Sequence, residues 1–572
     1  MSITEAGRPL ELWGGVECTV TRVGEDFRDQ LRETGHWDRP GDLDLVAGLG
    51  IRVLRYPVLW EHVSPVQPDR ADWSWHDARL ARLRDLGVTP VAGLVHHGGG
   101  PRYTDLADPA FPEKLAVHAA RVAERYPWLR LFTPVNEPLT TARFAGLYGH
   151  WYPHGTGYGP FLRALVIECK GVLLSMRAIR KRIPDARLVQ TEDMGKCFST
   201  PCLRHQAEHE NERRWLSLDL LCGRVGRSHP WHARFLEAGV PEADLDLLAT
   251  GEATPDIVGI NHYTTSERYL DPAQHHYPEH LRSADPRHAY ADAEAVRMDW
   301  PVGETGPGAR LREVWERYRL PLAVTEAHHG STREEQLRWL LEVWQAAQGL
   351  RAEGADIRAV TVWSLFGALD WNSLLRERAG FYEPGPFDAR HDPPRPTALA
   401  AAAKALATTG TFDHPVLDRA GWWHRPDRCY HPPAEDADRL PGAASPRRLL
   451  LVAEGAAAED LSRLCQARGL DHVLAPPDLA RVTEALTTHG PWGLVQAGGP
   501  AGLLAGVPAL AGVPLLLLTP DARGAPPPGA LLVRPEEDAN LALDLLVDGE
   551  AGIWRGHDRA FAPPPRLADA AD

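Results

Sequence analysis

Short apolar runs alternate with longer stretches of helical periodicity over roughly the first 410 residues of the chain. The runs are rich in Val, Ile, Leu and aromatic residues, and the intervening stretches repeat apolar residues at the spacing of a helix. Eight such runs begin at Glu11, Ile51, Thr89, Arg130, Ala186, Pro255, Pro321 and Ala359. This pattern predicts parallel strands, because each connection is long enough to hold a helix.

Eight parallel strands joined by helices predict a closed (β/α)8 barrel of the α/β class, with a doubly wound open sheet as the alternative. Most of the runs are apolar at their start and polar at their end. The polar residues at these ends are Arg55, His96, His97, Asn136, Glu137, Glu192, Asn261, Tyr263, Glu326 and Trp363. Since barrel enzymes assemble their sites at the C-terminal ends of the strands, these residues predict an active site.

The pattern changes after the barrel region. We expect the barrel to occupy residues 1–430, and we interpret 431–446, rich in Pro, Ala and Asp, as a linker. From Arg447 the alternation of strand and helix resumes, which predicts a small Rossmann-like α/β domain over 447–562. The last residues, 563–572, are expected to be a disordered tail.

Composition excludes several classes of function. A hydrophobic fraction of 44% with 24% charged residues is typical of a soluble globular protein. The net charge of −15 argues against a nucleic-acid partner or an anionic membrane surface. Seven cysteines without metal-type spacing predict free thiols in a reducing compartment. With no signal peptide or membrane-spanning run apparent, we expect a cytoplasmic protein.

Two glutamates carry the predicted chemistry. Glu137 ends the fourth strand in the segment TPVNEP, and Glu326 ends the seventh in AVTEAHHG. Strands four and seven face each other across a barrel mouth, so the two carboxyl groups can converge. Cleavage of a glycoside with retention of configuration needs two carboxyl groups about 5–5.5 Å apart, one as acid and one as nucleophile. The pair therefore predicts a retaining glycosidase, with Glu137 as acid/base and Glu326 as nucleophile.

The motifs, in their order, resemble those of the family 1 glycoside hydrolases over roughly residues 10–410. LRYPVLWEHVSP resembles the family's Arg-Phe-Ser segment, LVHHGGGP its His-Trp segment, and TPVNEP its acid/base motif. INHY resembles the Asn-Tyr-Tyr motif, VTEAHHG the nucleophile motif, and WSLFGALDW the sugar-binding tryptophan motif.

The resemblance implies roles for further residues. It places Arg55 and Tyr263 beside the nucleophile, as a cation and a hydrogen-bond donor, and Asn136 beside the acid. It implies that Thr21, His96, His97, Trp363, Asp370 and Trp371 bind the sugar. A small carbohydrate or glycoside is the implied substrate, and the implied mechanism needs neither a cofactor nor a metal.

Departures from the family pattern cluster around the sugar. Thr21 stands near the family's first-strand glutamine, and Asp370 replaces a glutamate. His97 replaces an aromatic residue, and Ala327-His328 follow the nucleophile where the family has Asn-Gly. These changes leave both glutamates in place and suggest a sugar other than plain glucose or galactose. The pairs His96-His97 and His328-His329 raise the alternative of a metal site, but hydroxyl binding or packing is the simpler interpretation.

The C-terminal region resembles the start of a dTDP-4-dehydrorhamnose reductase, an NAD(P)-dependent Rossmann enzyme. Its turn AEGAAAED has one glycine, Gly455, where a phosphate-binding loop needs several. No Tyr follows Tyr430 and no Lys follows Lys404, so the reductase residues are missing. We therefore expect a degenerate domain that binds no nicotinamide cofactor and contributes intra- or intermolecular contacts.

Three functions remain open on the sequence alone. The first is a retaining β-glycosidase or a transglycosidase of glycan synthesis, which share a glycosyl-enzyme and differ in the acceptor. The second is a non-catalytic sugar-binding barrel, which the intact glutamate pair argues against. The third is a bifunctional sugar-nucleotide enzyme, which the degenerate loop argues against.

Overall fold

Eight parallel strands close into a barrel in the computed structural model. It describes residues 8–285, 287–299, 303–430, 447–499, 503–504, 507, 510, 512–518, 529–534, 538–554 and 556. The barrel strands are β1 (Glu11–Gly15), β2 (Val53–Pro57), β3 (Thr89–Gly93), β4 (Leu131–Thr133), β5 (Arg187–Asp193), β6 (Ile257–Asn261), β7 (Leu322–Ala327) and β8 (Ile357–Val362). They pair in chain order, and β1 closes the ring against β8. The predicted (β/α)8 barrel is thus confirmed.

Helices follow the barrel strands in chain order. The principal ones are α1 (Asp42–Gly48), α2 (Ser74–Asp85), α3 (Phe111–Arg125), α4 (Tyr158–Arg180), α5 (Glu242–Leu248), α6 (Pro307–Tyr318), α7 (Arg333–Ala352) and α8 (Ala398–Thr409). Shorter helices span Gln30–Glu33, Trp60–Val63, Pro138–Ala142, Arg204–Arg213, Leu216–Leu221 and His232–Glu237. Helix α3 buries Leu115, Ala119 and Val122 at spacings of four and three, which is the apolar stripe that the sequence predicted.

One layer of apolar side chains fills the barrel interior. It consists of Trp13, Val91, Leu131, Val189, Ile257, Ala323 and Ala359, all of which are buried. Full burial of a large apolar side chain stabilises a fold by about 1.5–3 kcal/mol, so this layer contributes substantially to the barrel. The polar residues at the C-terminal ends of the strands are left to form the rim.

Smaller β elements are formed by the segments that connect or follow the barrel strands. A hairpin joins Val20–Val23 to Asp26–Asp29, and a four-stranded sheet has the order Arg282–Ala284, Ala289–Glu294, Arg268–Asp271, Cys197–Ser199. Two short pairs join Ala368–Leu369 to Tyr382–Glu383 and Phe387–Asp388 to Arg395–Pro396.

A second parallel sheet follows residue 446. Its strands are β9 (Leu449–Val452), β10 (His472–Ala475), β11 (Gly493–Ala497), β12 (Leu515–Leu518), β13 (Ala530–Val533) and β14 (Gly552–Ile553), with helices α9 (Gly455–Ala467), α10 (Leu479–His489) and α11 (Ala539–Asp548). The spatial order is β10-β9-β11-β12-β13-β14. An α/β domain is present as predicted, but this order matches flavodoxin-like sheets, whereas dinucleotide-binding sheets run 3-2-1-4-5-6. The resemblance to a reductase stays a prediction.

The described chain forms two compact units. One contains residues 1–296, 300–328 and 342–385, and the other contains 297–299, 329–341 and 386–572. The second sheet therefore shares its unit with short segments from the barrel region. The predicted linker, 431–446, and the predicted tail, 563–572, lie outside the described residues. Within the described residues, every helix is too short or too polar to cross a membrane.

Candidate active site

Glu326 ends strand β7 with both carboxylate oxygens bonded. The Arg55 guanidinium, at the C-terminal end of β2, places Nη1 2.8 Å from Oε1 of Glu326. The Tyr263 hydroxyl donates to Oε2. The carboxyl group is 96% buried, so the cation and the hydroxyl replace the water that would otherwise stabilise its charge. Glu326 is therefore held as an oriented carboxylate.

Glu137 follows strand β4 in a different environment. Its Oε1 accepts a hydrogen bond from the Asn261 amide, and the His97 ring lies 3.8 Å from its Oε2. The described contacts give it no arginine or lysine partner. Burial, and after it the negative charge of Glu326, raise the pKa of Glu137 well above its usual value. This environment therefore favours the protonated form of the Glu137 carboxyl group.

The backbone at Glu137 is strained and held in place. Its φ of 48° lies in the left-handed region, which costs on the order of 1–3 kcal/mol for a residue other than glycine. Glu192, at the end of β5, accepts hydrogen bonds from the amides of Leu139 at 2.9 Å and Thr140 at 3.3 Å. The Glu137 amide also donates to the Thr191 carbonyl. These bonds fix the turn that presents the acid.

Asn136 connects the two halves of the site. Its Oδ1 accepts from Arg55 Nη2 at 2.6 Å and from the Thr191 hydroxyl at 2.8 Å. Its amide nitrogen lies 3.3 Å from Nε2 of His96 and 3.2 Å from Nε2 of His97. Burial and the Arg55 charge lower the pKa of His97 to about 3, so its Nε2 can accept from the Asn136 amide. Asn136 is thereby fully oriented.

Trp363 provides an aromatic platform. Its ring lies parallel to the His96 imidazole, with centroids 5.7 Å apart, and the Arg55 guanidinium carbon lies 4.6 Å from the ring centre. The platform depends on Gly15, because a Cβ there would lie 2.3 Å from the Trp363 ring. Trp371 stands edge-on to His97 at 5.4 Å. Stacking of the apolar face of a sugar on these rings stays a prediction.

His328, which follows the nucleophile motif, supports that platform. Its Nδ1 lies 3.2 Å from the Trp363 carbonyl oxygen, and its Nε2 lies 2.6 Å from Oε2 of Glu383. Burial opposes the charged imidazolium, but the bonds to Glu383 and Trp363 outweigh it and raise the pKa of His328. When protonated, the ring can donate from both nitrogens to these two partners.

Asp370 and Thr21 are predicted sugar contacts that the structure connects to Arg28. The Arg28 guanidinium lies 2.9 Å from Oδ2 of Asp370, and the Phe381 amide donates to Oδ1. Thr21 is buried and stands opposite Arg28 across the hairpin Val20–Val23/Asp26–Asp29. Arg28 thus occupies the acceptor that we expected to bind sugar hydroxyls, and the roles of both residues stay predictions.

His329, the last of the rim histidines, lies in an aromatic environment. The Trp422 indole donates to its Nε2 at 2.8 Å, and Trp339 and Trp423 pack near its ring. The Nε2 lone pair is therefore used within the fold. This contact favours the packing interpretation of His329 over a metal ligand.

Glu17 is a buried carboxyl group that the sequence analysis did not assign to the site. It follows β1, its Oε1 accepts from the Thr19 amide at 2.9 Å, and its own amide donates to the Ser364 hydroxyl at 2.8 Å. Burial raises the pKa of Glu17 to about 7, and the nearby charge of Glu326 adds to the effect. Its position just after a strand was the available signal.

The arrangement can be compared with known proteins. No family model matches the chain. β-Glucosidase 47 of Arabidopsis thaliana is 22% identical over 455 residues, which cover 73% of this chain and 82% of that protein. Thermostable β-glucosidase B of Thermobispora bispora is 26% identical over 430 residues, 66% of this chain and 81% of that protein.

The homologues of this chain are thus β-glucosidases. Among solved structures, the family 1 β-glucosidase of Thermotoga maritima superposes with a TM-score of 0.57 at 16% identity, covering 71% of this chain and 99% of that one. A β-glucosidase of Thermotoga maritima in complex with deoxynojirimycin superposes with a TM-score of 0.53, covering 70% of this chain and 98% of that one. The resemblance to family 1 is thus confirmed, and the relatives support the prediction of a glycoside hydrolase.

Proposed function

We propose that this protein is a retaining β-glycosidase in which Glu326 is the nucleophile and Glu137 the acid/base. The observation that carries the proposal is the contrast between the two carboxyl groups. Glu326 accepts from a guanidinium and a phenol, whereas Glu137 is buried with an amide donor and without a cationic partner in the described structure. Environments that separate two carboxyl groups in this way identify which one is acid and which one is base.

In the first step the Glu326 carboxylate attacks the anomeric carbon, and the proton of Glu137 passes to the leaving oxygen. Asn136 and the neutral His96 and His97 lie beside the glutamates, and a sugar hydroxyl would exchange with one of the contacts between the Asn136 amide and the two rings. A hydrogen bond to the 2-hydroxyl strengthens as the oxocarbenium-like state forms. The Trp363 ring supports the apolar face of the sugar.

The second step uses a change in charge. Once Glu326 is esterified it no longer carries the negative charge that raised the pKa of Glu137. Glu137 has by then given up its proton, and it can now remove one from an incoming water or sugar hydroxyl. Water gives hydrolysis and a hydroxyl acceptor gives transglycosylation through the same intermediate.

The substrate is proposed to be a small β-glycoside. The relatives are named as glucosidases, and one is a bifunctional β-D-glucosidase/β-D-fucosidase of Bifidobacterium breve. The pairing of Asp370 with Arg28 changes the part of the pocket expected to hold the far hydroxyls of the sugar. We therefore propose a sugar that differs from glucose at those hydroxyls. All seven cysteines are free thiols, which supports a cytoplasmic location.

Chemical rescue by azide tests these roles. With an aryl glycoside that has a good leaving group, Glu137→Ala should form the intermediate and stall, and azide should restore turnover with a product of retained configuration. In Glu326→Ala, azide should occupy the nucleophile's position and give the inverted glycosyl azide. Glu25→Ala, at a glutamate whose side chain is 88% exposed, is the matched control and should behave as wild type.

The stereochemistry decides between the outcomes. Identical product configuration from both variants would refute the assignment even if both residues proved essential. A panel of aryl glycosides that differ in the sugar identifies the substrate, and full activity of Glu326→Ala without azide would exclude the covalent mechanism.

A further inference from the structure

Three metal-ligating side chains converge away from the two glutamates. His205 lies in the first turn of the helix Arg204–Arg213, and Asp285 and His288 lie in the turn between the strands Arg282–Ala284 and Ala289–Glu294. One ligand atom from each lies within 4.8 Å of the other two. We propose that these residues form a binding site for a divalent transition metal, with Zn²⁺ as the ion that fits best.

The separations suit a tetrahedral ion. The His205 Nε2 lies 2.8 Å from Oδ2 of Asp285, and the His288 Nδ1 lies 3.9 Å from Oδ1 of Asp285. Ligands about 2.0–2.1 Å from a tetrahedral zinc ion lie about 3.3 Å from each other, between these two values. The two distances end on different oxygens of Asp285, and the three ligand atoms lie within 4.8 Å of one another, so a bound ion would draw the side chains closer together. A donor set of two imidazoles and one carboxylate favours binding of Zn²⁺ over binding of Mg²⁺ or Ca²⁺.

The backbone of its own turn holds the Asp285 side chain in place. Its Oδ1 accepts from the backbone amides of Arg287 and His288, each at 2.6 Å, and its side chain is 4% exposed. The orientation of the carboxyl group is therefore fixed before any ion arrives, which reduces the entropy lost on binding.

His288 supplies an independent indication. Its Nδ1 is buried and has no hydrogen-bond partner among the described residues. A buried polar atom without a partner is costly, and such atoms in native structures need an explanation such as an ion. A lone pair facing a carboxylate 3.9 Å away is satisfied by a cation placed between them.

The site leaves room for a further ligand and connects two parts of the chain. A cavity of about 420 Å³ adjoins it, lined in part by His205, Glu208 and Asp285. The turn that carries Asp285 and His288 belongs to the four-stranded sheet that includes Arg268–Asp271, a few residues after Tyr263. An ion with water as its fourth ligand would therefore stabilise the segment from which the Tyr263 hydroxyl reaches Glu326.

Metal binding can be measured without reference to activity. The intact chain is stripped with EDTA, and Zn²⁺ binding is titrated by calorimetry, with Co²⁺ absorption as a report of tetrahedral geometry. Wild type should take up about one equivalent and show a higher Tm with Zn²⁺. His205→Ala, His288→Ala and Asp285→Asn should each weaken binding at least about tenfold. Asp285→Asn keeps the oxygen that accepts the two amides, so its folding should be unaffected.

His280→Ala, at a histidine on the same segment that is not among the three ligands, is the control and should bind Zn²⁺ as wild type does. The proposal is overturned if wild type shows no saturable binding, or if binding survives all three ligand variants. Because the readouts are stoichiometry and affinity, failure here would leave the proposed glycosidase activity unaffected.

Discussion

The Arg55 guanidinium connects the segments that carry Glu326 and Glu137, with Nη1 2.8 Å from Glu326 and Nη2 2.6 Å from Asn136. A single planar fork therefore sets the position of the proposed nucleophile relative to the residue that precedes the proposed acid. Lysine carries the same charge on one nitrogen and cannot make both contacts in this geometry.

Arg55→Lys is expected to lower kcat/KM on aryl glycosides by about 10²–10³, because displacements of about 1 Å at a reacting centre have effects of that order. The loss should appear in kcat as well as in KM. Arg82→Lys, at an arginine whose side chain is 45% exposed and pairs with Asp44, is the control. A less than twofold change in Arg55→Lys would show that charge alone suffices.

Asn261→Ala should alter the pH dependence of the reaction. The Asn261 amide donates to Glu137 and opposes the rise in the pKa of that acid, although burial and Glu326 outweigh it. Without the amide the pKa of Glu137 rises further, so the alkaline limb of kcat/KM should move to higher pH. We expect kcat to fall by about 10–100-fold, because a weaker acid on a misplaced side chain transfers its proton less efficiently.

The control for that profile is Asn211→Ala, whose amide bonds the backbone of Cys197. Its alkaline limb should coincide with that of wild type. An alkaline limb that moves to lower pH in Asn261→Ala would mean that Glu137 is not the group reported by the profile.

Much of the fold and of the site followed from the sequence. All eight barrel strands, with Glu137 and Glu326 at their ends, were predictable because burial on both faces makes parallel strands apolar and leaves polar residues to the rim. The hydrogen-bond and ion-pair partners of those residues could not be predicted from the sequence. Asp370 resembled a sugar ligand, but its pairing with Arg28 spans 342 positions along the chain and has no local signature.

The first turn of α7 shows a second limit. Thr332, followed three residues later by Glu335, has the sequence pattern of a capping box, in which the glutamate bonds back to the N-cap amide. Glu335 is instead buried and accepts from Arg338 at 2.8 Å and from the Trp422 amide at 3.0 Å. Only the tertiary environment, supplied by residues far along the chain, distinguishes a buried acid from an exposed cap.

Glu17→Gln should change how stability depends on pH. The pKa of Glu17 is raised to about 7 by burial, so the unfolded chain binds fewer protons than the folded one between about pH 4.5 and 7. The stability that the protonated carboxyl contributes is complete below about pH 4.5 and is lost as the pH rises through 7. Relative to wild type, the glutamine variant should gain up to about 3 kcal/mol between pH 5 and pH 8.

The measurement is the free energy of unfolding in urea at both pH values. Glu25→Gln, at an exposed glutamate, should show no such gain. If the difference between wild type and Glu17→Gln is the same at pH 5 and pH 8, Glu17 does not titrate in this window.

Arg468→Met should destabilise the unit that contains the second sheet. The Arg468 side chain is fully buried, with Nε 2.8 Å from Oε1 of Glu334 and Nη2 2.8 Å from Oδ1 of Asp544. Removing the cation takes the Arg468 partner from two buried carboxyl groups, and breaking a buried ion pair costs about 3–5 kcal/mol in comparable cases. Hydrogen exchange of β9 and β11 in increasing urea measures this loss of stability, since both strands belong to that unit.

Arg481→Met, at an arginine whose side chain is 66% exposed, is the control and should change the stability of that unit by less than about 1 kcal/mol. Adding Glu334→Gln to Arg468→Met removes the charge of one of these two carboxyl groups and should recover part of the lost stability. A further loss of similar size would instead show that other residues stabilise the Glu334 carboxylate.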